Sequence, residues 1–187
     1  MMPAGHPQRM TLLATMALLA VTAVWGSTFV MIKDLLARMS VVDFLAVRYA
    51  IGAVAALVLF AGPVRRLGRA QLARGLLLGV LYGLGQLLQT WGLALIAPSV
   101  SGFVTGTYVI FTPILATILL RQRMAPMVWA AVAMATLGLG LLTLRGFAVG
   151  TGVWLTLAAA MLYALQIIGL SRWSRPGDTL GLSAVQM

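Results

Sequence analysis

Long runs without a charged residue constrain this chain more than any other feature of its sequence. The runs cover residues 10–32, 75–120, 124–144 and 146–171, and none contains Asp, Glu, Lys or Arg. About 20 apolar residues are enough to cross a bilayer as a helix, so the second run is long enough for two crossings. A helix satisfies its own backbone hydrogen bonds in lipid, and the alternating pattern of a β-barrel strand is absent. The sequence therefore predicts an all-α membrane protein, a polytopic helical bundle.

Helix start signals divide these runs into separate spans. Ser40 and Asp43 have the spacing of a capping box, which would start a helix just after Ser40. Pro98 divides the longest run, and Pro126 suits the first turn of a helix. The predicted spans are residues 11–32, 41–62, 75–96, 100–120, 126–144 and 151–171, with a seventh that begins near Thr179.

Basic residues are concentrated at one set of predicted helix ends. The chain has 13 Lys and Arg residues against three acids, and its net charge is +10. One set of ends carries Lys33, Arg38 and Arg145, while Arg48 lies inside the second span. The other set carries Arg9, Arg65, Arg66, Arg69, Arg74, Arg121, Arg123, Arg172 and Arg175. Because cytoplasmic loops are enriched in Lys and Arg, we expect a cytoplasmic N-terminus and a location in the cell (inner) membrane.

The composition argues against several other function classes. Only 9% of the residues are charged, against roughly 25% in a soluble domain, and no basic domain suggests nucleic-acid binding. The chain has no cysteine and a single histidine, His6, so we expect no metal site. It has no phosphate-cradling loop and no nucleophile with its base, so we expect no enzyme and no cofactor. The expected partners are the lipid bilayer and a small-molecule substrate, with a homodimer as a further option, especially for a fragment.

A weak internal repeat divides the chain into two parts. A shift of 138 residues places Trp25 on Tyr163 and keeps one register across a span, a loop and the next span. Each period would hold five spans, an odd number, so the second copy would enter the membrane from the opposite side. We expect a cytoplasmic tail at residues 1–10, a first repeat at 11–145, and a truncated second repeat at 146–187. That second part would hold a sixth helix and the stub of a seventh.

Three segments carry a resemblance to a known family. They read WGSTFVMIKDLL at Trp25–Leu36, FLAVRYAIGAVAALVLF at Phe44–Phe60, and QTWGLALIAPSVSGFVTGTYVIFTPILATIL at Gln89–Leu119. With these segments in this order, the chain resembles the EamA-type transporters of the drug/metabolite transporter superfamily. The resemblance implies two inverted five-helix repeats that form a ten-helix bundle for small metabolites. The chain departs from the pattern at Arg121 to Arg123, where many members carry an acidic residue.

The resemblance and the repeat together predict a secondary, non-ATP transporter. It would move a small metabolite, amino-acid-like or amphiphilic, across the inner membrane by alternating access. Two alternatives are a non-transporting membrane scaffold and a membrane-embedded enzyme. A scaffold would show packing glycines without converging polar stripes. An enzyme would need clustered acids, histidines or a metal site.

Polar residues at helical spacing mark one face each of the third, fourth and sixth spans. In the third span, Tyr82, Gln86 and Gln89 fall at i, i+4 and i+7 and therefore share a face. The corresponding residues of the fourth and sixth spans are Thr105, Tyr108, Thr112, Tyr163 and Gln166. These stripes either line a cavity for a small polar solute or act as hydrogen-bonding contacts between neighbouring helices.

Arg48, Trp25 and Thr28 complete the candidates for a substrate pathway. Arg48 lies about 10–12 Å along a helix that begins at Val41. Asp43 is five residues earlier, a poor spacing for a pair on one helix face. Arg48 therefore either faces the protein interior and attracts an anion, or extends to the headgroups. Trp25 and Thr28 either face a central cavity or fill the bundle.

Small residues and one proline are assigned to packing or to a hinge. Glycines four residues apart form a face on which helices can approach closely. Pro113 leaves the Val109 carbonyl without its helical donor, which predicts a kink or a hinge. The residues assigned to packing or hinging are Gly26, Ser27, Gly75, Gly79, Gly83 and Pro113.

Overall fold

The protein is a bundle of helices joined by short connections. A computed structural model describes residues 6–121, 124–144, 150–175 and 177–187, and these ranges contain no strand. Five helical segments are long and apolar enough to cross a membrane, with α4 and α5 together forming one of them. The helices are α1 (His6–Leu36), α2 (Val41–Arg65), α3 (Arg69–Leu95), α4 (Pro98–Gly106), α5 (Tyr108–Leu120), α6 (Pro126–Leu144), α7 (Thr151–Trp173) and α8 (Thr179–Val185).

Three helices begin where the sequence signals place them. Ser40 is the N-cap of α2: its side-chain oxygen accepts a hydrogen bond from the Asp43 N–H at 3.1 Å. The Ser40 hydroxyl also donates to the Asp43 carboxylate at 2.6 Å. Pro98 and Pro126 are the first residues of α4 and α6, where a missing N–H costs no helical hydrogen bond. The starts predicted at residues 41 and 126 are confirmed, whereas α4 begins two residues before the predicted start at residue 100.

The fourth predicted span is two helices, and its interruption is not at Pro113. The α4 helix ends at Gly106 and α5 begins at Tyr108. Between them, both the N–H and the hydroxyl of Thr107 donate to the Val104 carbonyl, at 3.1 and 2.6 Å. This tight turn replaces the normal helical hydrogen bond, because a threonine hydroxyl competes with the backbone for a nearby carbonyl. Pro113 lies inside α5, which runs through it as one helix.

A second irregularity lies in α2, which continues past its predicted end to Arg65. Pro63 stands inside this helix and cannot donate to the Leu59 carbonyl. Phe60 accordingly leaves the helical conformation, with φ −119° and ψ 19°. The result is a kink near the end of α2 where it meets α8.

The centre of the bundle is the interface between α3 and α7. These two helices share the largest interface, and α7 also packs on α4 and α5. The α8 helix packs on α2 and α3, and α6 packs on α5. Fully buried apolar residues concentrate at this centre, including Leu78, Leu93, Ala159, Ala160 and Ala164.

Two glycines of α3 allow α7 to approach closely. A Cβ added at Gly85 would lie 2.6 Å from the Tyr163 ring, and one at Gly92 would lie 2.7 Å from the Gly152 carbonyl oxygen. Gly85 and Gly92 are seven residues apart, about two helical turns, so they lie on the same face of α3. The absence of their side chains is therefore what sets the distance between the two central helices.

The glycines predicted to pack behave differently from one another. Gly75 and Gly79 lie against α8, where an added Cβ would be 2.8 Å from Val185 and 3.3 Å from the Gln186 backbone. An added Cβ at Gly83 or Gly26 would meet no described atom within 4 Å outside its own helix. Ser27 is exposed and its hydroxyl donates to the Val24 carbonyl of α1. The close packing predicted for Gly26, Ser27 and Gly83 is thus not seen among the described residues, because their faces point away from the neighbouring helices.

The outside of the bundle is much more apolar than the surface of a soluble protein. Buried side chains include Gln86, Gln89 and Thr105, whereas large apolar side chains cover the outside of the bundle. Residues 11–27 of α1 are all exposed, and most of them are apolar. An apolar exterior around buried hydrogen-bonding groups is expected when hydrocarbon is the solvent. The chain is an all-α, multi-pass membrane protein.

Candidate functional site

A small pocket forms where α1, α2 and α3 meet, and we call it the Arg48 pocket. Its volume is about 20 Å³, enough for about one water molecule. It has polar and apolar walls, with Arg48 as the one charged side chain that lines it. The lining residues are Trp25, Thr28, Phe29, Ile32, Arg48, Gln86, Gln89, Thr90 and Leu93.

The lining follows from helical spacing on two facing helices. The four lining residues of α1 fall at i, i+3, i+4 and i+7, and so do the four lining residues of α3. Each set is therefore one stripe along its helix. Arg48 reaches the pocket from α2. The sequence-predicted residues Trp25, Thr28, Gln86 and Gln89 are thus brought together with it around one space.

A buried hydrogen-bond chain crosses the bundle beside this pocket. The Tyr163 hydroxyl of α7 donates to Gln89 Oε1 of α3 at 2.7 Å. Gln89 Nε2 in turn donates to Thr105 Oγ1 of α4 at 2.9 Å. All three residues are buried. These two hydrogen bonds therefore fix the orientation of the Gln89 amide at the edge of the pocket, and they join three predicted residues from three helices.

Arg48 has no acidic partner. Its guanidinium is exposed, with Nη1 3.4 Å from Gln86 Oε1 and its carbon 5.9 Å from the centre of the Tyr49 ring. Asp43, the acid nearest in sequence, receives its hydrogen bonds from Ser40. The structure describes all three aspartates of the chain, and none forms an ion pair with Arg48.

Three tyrosines form an aromatic cluster next to Arg48. The rings of Tyr49 and Tyr82 are perpendicular with their centres 6.3 Å apart, and those of Tyr82 and Tyr163 lie 5.9 Å apart. Tyr82 and Tyr163 are candidates from the sequence, whereas Tyr49 is an additional residue. Its position next to Arg48 in α2 was the available signal. Within the cluster, the Tyr49 ring is the one shown next to the Arg48 guanidinium.

The remaining pathway candidates do not line the Arg48 pocket. The Thr112 hydroxyl donates to the Tyr108 carbonyl of the same helix at 2.7 Å. The Gln166 amide donates to Gln186, the C-cap residue of α8. Tyr108 and Thr112 belong to α5 and Gln166 to α7, and neither helix contributes a residue to the lining of the pocket.

A polar contact that the sequence did not predict joins α3 to the turn between α7 and α8. Gln71 Nε2 donates to the Trp173 carbonyl at 3.0 Å and to the Asp178 carboxylate at 3.1 Å. Arg74 donates to Gln71 Oε1 at 3.2 Å, and its guanidinium lies 5.9 Å from the Trp173 ring centre. The α7–α8 turn is therefore held beside the start of α3, at the end of the bundle opposite to the α1–α2 turn.

Comparison with known proteins assigns the family. The model of the EamA-like transporter family matches residues 12–144. An uncharacterized transporter of Archaeoglobus fulgidus (strain ATCC 49558 / DSM 4304 / JCM 9628 / NBRC 100126 / VC-16) is 30% identical over 165 residues. That alignment covers 88% of this chain and 51% of the relative, so the chain spans about half the length of the relative. No solved structure matches the chain. With most of its length inside the family model, this chain belongs to the EamA-like transporter family.

Proposed function

We propose that this chain contributes to a secondary carrier that moves a small metabolite, amino-acid-like or amphiphilic, past the Arg48 pocket by alternating access. The observation that carries the proposal is the convergence of polar side chains from separate helices on one space. Polar groups inside a bilayer are costly, so their convergence is the expected mark of a solute pathway. Membership of a transporter family supports transport and argues against a scaffold or an enzyme.

The proposed architecture of the complete carrier is a pair of inverted five-helix repeats. A shift of 138 residues takes the start of α2, Val41, to the start of α8, Thr179. The same shift takes the end of α1, Leu36, to within one residue of the end of α7, Trp173. The α1–α2 and α7–α8 turns also lie at opposite ends of the bundle. Matching helix ends with reversed direction support an inverted repeat, the architecture associated with alternating access.

The proposed mechanism requires the Arg48 pocket to widen. Its present volume of about 20 Å³ excludes a metabolite. We propose that α1 is the element that moves, because residues 11–27 of this helix are exposed and its interfaces with α2, α3 and α4 are small. The N-terminus and the turns after α2 and α7 would face the cytoplasm in the cell (inner) membrane, since these ends carry most of the arginines.

Transport assays with pocket variants test the proposal. A metabolite screen of cells with and without the gene would first identify a transported solute. In proteoliposomes, Gln86→Ala and Gln89→Ala should each lower the transport rate by at least about tenfold, the effect of about 1.4 kcal/mol on the transition state. Thr136→Ala is the matched control, because its exposed hydroxyl bonds only to the Val132 carbonyl of α6. Full transport by both pocket variants would contradict the proposed pathway.

A further inference from the structure

We propose that the transported solute is a small monocarboxylate with an apolar body, and that the Arg48 guanidinium binds its carboxylate. This inference rests on the proposed function, because it names the substrate class of the same pocket. Three features of the pocket carry it: the unpaired charge of Arg48, the internal hydrogen bonds of its neutral neighbours, and an aromatic wall.

The first feature is the unpaired charge of Arg48. From the start of α2 at Val41, this residue lies about 10–12 Å along the helix, deep enough for its charge to be costly in a bilayer. Charged side chains within membrane-spanning helices normally pair with an opposite charge or a backbone carbonyl. Among the described residues Arg48 has no acidic partner, and Asp43 is bound to Ser40. A mobile anion would supply the missing partner.

The second feature is that three neutral polar side chains of the pocket, Thr28, Thr90 and Gln89, already have partners inside the protein. Thr28 and Thr90 donate to the carbonyls of Trp25 and Gln86 in their own helices, at 2.6 and 2.7 Å. Gln89 uses its amide on Thr105 and Tyr163. These three side chains therefore have fewer hydrogen bonds to offer a neutral hydroxylated solute.

Arg48, by contrast, keeps most of its hydrogen-bonding capacity. A guanidinium has five N–H donors in a planar fork, and among the described residues Arg48 donates one long hydrogen bond, of 3.4 Å, to Gln86 Oε1. That contact holds one edge of the fork against α3 and leaves the rest toward the exposed side. A carboxylate is the anion whose two oxygens match such a fork. The pocket thus selects for a carboxylate more strongly than for a hydroxyl or an amide.

The third feature is an aromatic wall that α1 contributes to the same pocket. Trp25 and Phe29 meet edge to face, with their ring centres 5.9 Å apart, and Trp25 remains 43% exposed. Ile32 and Leu93 extend this wall. A pocket lined by this apolar wall and by one cation, Arg48, suits a solute with an apolar body and a single carboxylate. It disfavours di- and tricarboxylates, because the pocket holds no second positive charge.

Thermal unfolding with charge-matched probes tests the inference in the purified, detergent-solubilised protein. The probes are phenylacetate and 3-methylbutanoate, each compared with its uncharged amide at equal concentration. At least one carboxylate should raise Tm by roughly 2–4 °C over its amide, the shift expected for a ligand at about four to five times its Kd. Arg48→Gln should abolish this difference and Arg48→Lys should reduce it. Arg38→Gln, which removes an exposed arginine outside the pocket, should keep it.

Several outcomes would overturn the inference. Equal stabilisation by amides, no stabilisation by either carboxylate, or an undiminished response of Arg48→Gln would each show that Arg48 does not recognise a carboxylate. An Arg48-dependent shift with phosphatidylglycerol alone would assign the residue to a lipid headgroup instead. Measuring transport of the screened solute distinguishes failure of the carboxylate assignment from failure of the proposed carrier function. If Arg48→Gln still transports while Gln86→Ala does not, the pathway stands and the carboxylate is excluded.

Discussion

The ammonium nitrogen of Lys33 lies 2.8 Å from the carbonyl oxygen of Leu93, and 2.7 Å from that of Ala94. Both carbonyls belong to the last turn of α3, where a helix has no internal donors left to satisfy them. A cation at this position also complements the negative end of the helix dipole. The last turn of α1 is therefore fastened to the end of α3 by a charged cap, although most of α1 has few neighbours.

Replacing Lys33 should loosen this attachment. Lys33→Met keeps the length and apolar stem of the side chain but removes the donor to Leu93 and Ala94. We expect a loss of about 1–2 kcal/mol in unfolding free energy, the usual value of a hydrogen bond to a charged group. Denaturant unfolding in mixed micelles, followed by tryptophan fluorescence, would measure it. Arg38→Met provides the control, and a Lys33 variant as stable as this control would show that the cap contributes nothing.

The close approach of α3 and α7 leads to a second prediction. Gly92→Ala places a methyl group against the Gly152 carbonyl and the Thr156 hydroxyl, where there is no room for it. Overpacking of this kind costs typically about 1–3 kcal/mol. We therefore expect a lower Tm for this variant in the same micelles.

Gly83→Ala is the matched control for that experiment. It adds the same methyl group to the same helix, at a position where no described atom outside the helix lies within 4 Å. Alanine is the better helix former by about 0.5–1 kcal/mol, so this variant should be unchanged or slightly more stable. If Gly92→Ala had the same Tm as Gly83→Ala, the interface between α3 and α7 would have to be looser than described.

Local sequence signals predicted where helices begin, and contacts between helices explain what they missed. The capping serine fixes the start of α2 through a hydrogen bond to a residue three positions later. The prolines occupy the first positions of α4 and α6, where a helix needs no N–H donor. Pro113 predicted a kink or hinge in the fourth span, but the interruption of that span lies at Thr107, whose hydroxyl donates to the Val104 carbonyl. Local signals also could not predict the partners of Lys33, because these carbonyls lie about 60 residues away in the chain.

Helical spacing grouped residues correctly on one face but could not say which faces meet. Gln86 and Gln89 share a face and line the same pocket. Spacing could not reveal that α1 presents Phe29 to that pocket, or that Gly85 and Gly92, rather than Gly83, adjoin α7. These facts depend on how each helix is rotated about its axis, which no single helix determines. The functional role of the pocket remains a prediction.

The hydrogen-bond chain through Gln89 should act as one unit. Gln89→Leu leaves the Tyr163 hydroxyl and Thr105 Oγ1 without this partner, and Tyr163→Phe removes one end of the chain. Single interhelical hydrogen bonds in membrane proteins average about 0.6 kcal/mol and reach about 1.7. A double-mutant cycle on unfolding free energy should give a coupling of that size between Gln89 and Tyr163. Additive effects within about 0.3 kcal/mol would mean that the two side chains do not interact energetically.

Cysteine labelling can determine which end of the bundle faces the cytoplasm. The chain has no cysteine, so Arg38→Cys and Arg66→Cys each create a single thiol, one in the α1–α2 turn and one in the α2–α3 turn. Both positions are exposed. Because arginines concentrate at the α2–α3 end, we expect a membrane-impermeant maleimide to label Arg38→Cys in intact cells with the outer membrane permeabilised, if one is present. Arg66→Cys should react only after the inner membrane is opened. Labelling of both variants after full lysis confirms that each thiol is accessible. The reverse pattern in intact cells would contradict the expected orientation and would place the Gln71 contact on the side of the membrane away from the cytoplasm.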